Sequence, residues 1–149
     1  MKKIIRKYIP NISTNRLEEP EAVYHITPKS GRVETLVKDF AYKDFKRILA
    51  KGPFTLGEWS DMLFMSERTL HRYAKDDGGF NGLQIERILL LETLIDIGNE
   101  MFGQDGFKGW LQSKPFSLNG EVVKNKLHTH NGIQEVIDIL GRIQHGISA

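Results

Sequence analysis

The stretch from Gly82 to Phe102 constrains this chain most. Leu83, Ile85, Ile88, Leu89, Leu90, Leu91, Leu94, Ile95, Ile97, Met101 and Phe102 fall on nearly every side of a 3.6-residue helix. A helix with so little polar surface has to be covered by other elements. It is therefore either the central post of the molecule or part of a dimer core. No segment of the chain shows period-two alternation over any length, whereas helical spacing recurs, so the predicted class is all-α.

The segments around this post read as follows. Residues 1–30 contain Pro10, Pro20 and Pro28 and lack helical periodicity, which predicts a loosely docked arm with a short strand at about Lys3–Ile9. Ser30 can cap a helix over about Arg32–Phe40, with Val33, Leu36, Val37 and Phe40 on one face. A second helix is predicted at about Tyr42–Lys51, with Phe45, Ile48 and Leu49 inward and Gly52-Pro53 as its stop. Asp76-Asp77-Gly78-Gly79 is a turn. Beyond the post, Gly103–Pro115 reads as a turn and a short helix carrying Phe107, Trp110 and Leu111, and Glu121–Leu127 as another short helix or turn. Gly120 marks a turn between them. The last helix, about Gly132–His145, repeats Ile133, Val136, Ile137, Leu140 and Ile143 at spacings of three and four.

The segment TLGEWSDMLFMSERTLHRY, Thr55 to Tyr73, carries the clearest functional pattern. Thr55 and Glu58 have capping-box spacing, and Leu56, Trp59, Met62 and Leu63 fall on one face behind them. Ser66 is a second N-cap, with Glu67 in the first turn where the helix dipole favours an anion. Arg68, Thr69, His71, Arg72 and Lys75 then surround a single apolar anchor, Leu70. Arginine bonds guanine bidentately, and Thr, His and Lys reach bases or phosphates, so this is the chemistry of a DNA recognition helix in a helix-turn-helix. The competing reading is an ordinary amphipathic helix pair with a solvated cationic face.

Composition narrows the function classes. With 149 residues, 40% hydrophobic and 27% charged, the chain is long enough to bury a core and is not of disordered composition. It has no cysteine, which excludes disulfides, a thiol nucleophile and cysteine zinc sites and fits a reducing cytoplasm. The net charge of +2 is unevenly spread: residues 1–53 hold 12 Lys/Arg against 6 Asp/Glu, the remainder 9 against 13. A nucleic-acid binder with a basic end and an acidic partner-binding end has this pattern. The start MKKIIRKYIP is too short in apolar residues for a signal peptide, and no stretch has the roughly 20 apolar residues of a membrane span. His128 and His130 lack a third ligand, so no metal site is expected. There is no GxGxxG, no GxxxxGK[ST], and no nucleophile with an oriented base. Nothing points to an enzyme or to a cofactor.

The second half adds L-E-T-L-I-D-I-G-N-E-M-F-G, F-K-G-W-L-Q-S-K-P and H-N-G-I-Q-E-V-I-D-I-L-G-R-I-Q-H-G. From about Phe40 onward the chain resembles the Xre/MbcA/ParS antitoxins, the partners of RES-domain toxins. The landmarks are Ser66, Arg68, Thr69, Leu70 and Arg72; Phe102-Gly103, Trp110-Leu111 and Pro115; then Gly120, Gly132, Leu140, Arg142, Ile143, His145 and Gly146. The loop after Pro115 departs from the family's usual Asn-x-Ala/Leu-x-Gly-x-x-Pro, reading Phe116 to Val123 with no second proline.

The resemblance implies a type II antitoxin that neutralises an NAD⁺-depleting RES toxin and represses its own operator, as a cytoplasmic homodimer. It divides the chain into an arm (1–30), a helix-turn-helix region (31–80) and a toxin-binding and dimerisation region (81–149). It also implies that the last helix end, Arg142, His145, Gly146 and the carboxylate of Ala149, meets the toxin. Read from the residues alone, Arg142 and His145 could equally solvate the helix and complement its dipole. Gene order beside a RES toxin would separate an antitoxin from a plain DNA-binding regulator, and a gel shift would separate both from a pure interaction module.

Overall fold

A computed structural model of the chain describes residues 39–76 and 78–146. The arm over 1–30, its short strand and most of the helix expected over Arg32–Phe40 lie outside this range; Asp39 and Phe40 themselves are not helical. The described residues form an all-α fold with no strand. No helix is long and apolar enough to cross a membrane.

The first helix, α1, spans Tyr42–Lys51. The Asp44 carboxylate accepts from the Ala41 N–H at 2.9 Å and starts it; the Gly52 N–H donates to the Ile48 carbonyl and ends it. Helices α2 (Leu56–Met62) and α3 (Glu67–Asp76) follow, then the long α4 (Gly82–Leu111). Asn81 caps α4: its Oδ1 accepts from the Gln84 N–H at 2.8 Å, and the Gln84 side chain accepts in return from Asn81.

Helix α4 is the expected post. Ile85, Ile88, Leu91, Leu94, Ile95 and Gly98 are buried, while Leu89, Leu90, Ile97, Met101 and Phe102 are half-buried. Leu83, expected among the covered positions, is 79% exposed, because α4's first turn projects past the elements that flank it. Within α4 the backbone breaks at Gly103, with φ 70° and ψ 167°. That region is essentially closed to any residue with a Cβ. The chain thereby folds back, and Phe107 packs on the backbone of Gly98, where an added Cβ would stand 2.3 Å from the ring. Trp110, expected in the core, is half-buried; it stacks on Phe102 at 5.7 Å and Phe107 at 6.3 Å.

Two 3-10 segments, Phe116–Leu118 and Val123–His128, lead to α5 (His130–Gln144). Thr129 caps α5 by accepting from the Gly132 N–H at 3.0 Å. Ile133, Val136, Ile139 and Leu140 are buried against α4 and the second 3-10 segment, with Ile137 and Ile143 at the margin. The core is one cluster running from Phe45 through Trp59 and Leu70 to Leu140. Lys51 ties α1 to α4 through Glu92 and Asp96, both at 2.7 Å, and the Asn99 side-chain amide donates to the Lys51 carbonyl at 2.9 Å. Burial lowers the pKa of Lys51, but the bonds to Asp96 and Glu92 outweigh it and leave the ammonium above its ordinary value.

Candidate nucleic-acid interface

The cationic helix α3 is set in place from three directions. Its start is held by Ser66, whose Oγ accepts from the Thr69 N–H at 3.1 Å and lies 2.9 Å from the Thr69 hydroxyl. Its middle is pinned by Leu70, fully buried in the core. Beyond its end, Phe80 packs edge-on to Tyr73 at 5.4 Å and also meets Phe45 at 5.1 Å. These anchors leave the opposite face free. Arg68, His71, Arg72 and Lys75 are exposed and Thr69 half-buried, and the five line one shallow depression. The Arg72 guanidinium lies over the Tyr73 ring at 5.8 Å. Among the described residues none of Arg68, Arg72 and Lys75 is paired with a carboxylate. The five side chains singled out from the sequence thus share one face, and unpaired cations on a rigid helix can meet phosphates without first breaking an ion pair.

The helix in front, α2, begins as its spacing predicted. The Glu58 N–H donates to Thr55 Oγ1 at 3.2 Å, and Glu58 Oε2 accepts from the Thr55 N–H at 2.9 Å. The other carboxylate oxygen of Glu58 accepts from Lys124, in the 3-10 segment before α5. Burial raises the Glu58 pKa, but Lys124 and the Thr55 bonds outweigh it and hold the carboxyl below its ordinary value. This second role had no local signal, because its partner lies 66 residues away.

Between α2 and α3 runs a tight turn. The Leu63 N–H donates to Trp59, Phe64 to Asp61 and Met65 to Ser60, at 2.9, 3.2 and 3.0 Å. Phe64 has φ 54° and is 73% exposed. Nothing in the periodicity marks this residue.

The carboxyl-terminal candidates sit elsewhere. Arg142 is exposed on the last turn of α5, at the edge of a polar cleft shared with Ser117, Gln134 and Asp138. His145 is exposed and its N–H donates to the Gly141 carbonyl at 3.1 Å. Gly146 has φ 73°, the left-handed cap expected of it. Ala149 lies outside the described residues. The expected DNA-binding and toxin-binding sets therefore occupy separate elements, α3 and the end of α5. His128 and His130 flank the α5 cap, and the His128 carbonyl accepts from the Arg87 guanidinium.

No family model matches the chain. It is similar to Antitoxin Xre of Yersinia enterocolitica serotype O:8 / biotype 1B (strain NCTC 13174 / 8081), 32% identical over 82 residues. The match covers 54% of this chain and 55% of the relative, so the chain spans about half the length of the curated relative it matches.

Proposed function

We propose that this chain is an antitoxin of the Xre type in a type II toxin–antitoxin pair. The observation that carries the reading is the 32% identity to Antitoxin Xre. That likeness supports a toxin as partner in general; the finer assignment, to an NAD⁺-depleting RES-domain toxin, comes from the landmarks from Phe102 to Gly146 described above. In this reading the end of α5, with Arg142, His145, Gly146 and Ala149, meets the toxin. The α2–turn–α3 unit is a helix-turn-helix that binds operator DNA through Ser66, Arg68, Thr69, His71, Arg72 and Lys75 and represses the operon. The unpaired cations on one face of α3 support this second role. The role is regulatory, by occlusion and by binding, with no reaction carried out by the chain itself.

The test is co-expression with the RES-domain protein of the neighbouring gene. The expected result is rescue of growth and co-purification of the two proteins. Growth arrest despite well-folded, abundant protein would refute the antitoxin reading and favour a DNA-binding regulator.

A further inference from the structure

The turn before α3 places a bulky side chain where the backbone favours glycine. Phe64 sits at φ 54° with its ring 73% exposed. Glycine would adopt this conformation without strain, and the ring is not part of the buried core. The fold therefore gains nothing from phenylalanine here. Beside it Leu83 is 79% exposed on the first turn of α4. These are two of the three exposed large hydrophobic residues among those described, and they line the same groove.

The groove also carries charge. The Arg87 guanidinium lies 5.0 Å from the centre of the Phe64 ring and donates to the His128 carbonyl, while its Nε is buried without an acceptor. Glu86 is exposed on the same groove, and His130 lines it from α5. Among the described residues neither Glu86 nor Arg87 has a partner of opposite charge.

We propose that this groove is the contact surface between two copies of the chain, with Glu86 of each facing Arg87 of the other across a centre of Phe64 and Leu83. A two-fold interface presses one patch against its own twin, so the patch must be self-complementary. A purely cationic groove would repel itself. An acid and a base side by side, around an aromatic and a leucine, pair with their rotated image. Exposed aromatic and arginine anchors are also the residues that dominate interface energetics. The consequence for operator binding rests on the DNA-binding reading above. Because Phe64 immediately precedes α3, pairing here would hold two recognition helices as a fixed unit, as a palindromic site requires.

The test uses the full chain without DNA or toxin, so its outcome is independent of the antitoxin reading. By sedimentation velocity the parent is a dimer. Phe64→Gly, which relieves the backbone, keeps the circular dichroism and melting temperature of the parent but dissociates about tenfold or more readily, as loss of a central anchor does. E86R and R87E each weaken the dimer alone, and an equimolar mixture of the two restores it, because each variant then meets the opposite charge. If R87E fails to fold, Leu83→Asn with Phe64→Gly serves in its place and gives a monomer. A parent that stays monomeric, a Phe64→Gly variant as dimeric as the parent, or a mixture of folded E86R and R87E that does not reassociate would overturn the proposal. A Phe64→Gly variant that stays dimeric but no longer captures the toxin would give the groove to the toxin instead.

Discussion

Two residues show how single positions carry several demands. Gly98 is glycine because the Phe107 ring occupies the space of a Cβ, at 2.3 Å. Gly98→Ala forces that ring off its site or pushes the short helix after Gly103 outward. We expect a loss of about 1–3 kcal/mol, the usual cost of overpacking a tight contact, measured by urea unfolding. Glu58 serves both the α2 capping box and Lys124. Its folded pKa is lowered, so its charge contributes stability that is complete above the unfolded value of about 4.3. That contribution is lost as pH falls through the lower folded value. Glu58→Gln preserves the cap spacing and removes the charge. The variant should be less stable than the parent at neutral pH, and the gap should close in acid. A gap that stays constant down to pH 2 would show that the Lys124 pair adds nothing.

At the scale of elements, α4 and α3 illustrate opposite uses of a helix. Helix α4 is held by its surroundings: Leu91 is fully buried and touches no water on which a charge could rely. Leu91→Asp should cost roughly 3 kcal/mol or more, since an unpaired carboxylate replaces a packed side chain; a thermal melt equal to the parent's would contradict the central role of this helix. Helix α3 buries Leu70 and offers the rest of its length outward. Arg68→Ala should weaken operator binding by about 1–3 kcal/mol if the guanidinium reads a guanine, with the loss confined to the cognate base pair. A phosphate contact would instead weaken all sequences alike and flatten the salt dependence. Titrations of cognate and scrambled duplexes at several salt concentrations distinguish the two.

In the whole molecule, the cationic face of α3 and the end of α5 stand on different elements joined by a shared core. Glu58–Lys124 and Arg87 with the His128 carbonyl clamp the 3-10 segment before α5 onto α2 and α4. Removal of residues 145–149 takes away little that supports this arrangement, since His145 and Gly146 are exposed. Under the antitoxin reading, a short segment on the end of a rigid helix enters a concave toxin site at small entropic cost, and a site for anionic NAD⁺ should accept the terminal carboxylate. The truncated chain should then fold and bind DNA as before but fail, wholly or in part, to rescue growth against the toxin. Full rescue would move the inhibitory contact to the faces of the last helices.

What the sequence determined by itself is what acts within about one helical turn. The Thr55, Ser66 and Thr129 caps, the α1 and α5 faces, the all-α class and the common face of Arg68, His71, Arg72 and Lys75 all follow from spacings of three and four residues. Even here the inward face of α5 shifted, with Ile139 buried and Ile143 at the margin, because its exact rotation depends on what it packs against. Only the tertiary structure decided which residues meet across long separations. It left Leu83 uncovered at the end of the post, brought Lys124 to Glu58 and His128 to Arg87 across 66 and 41 residues, and placed Phe64 beneath the Arg87 guanidinium. Such pairings cost chain entropy that only the collective burial of the core offsets, so no local pattern announces them.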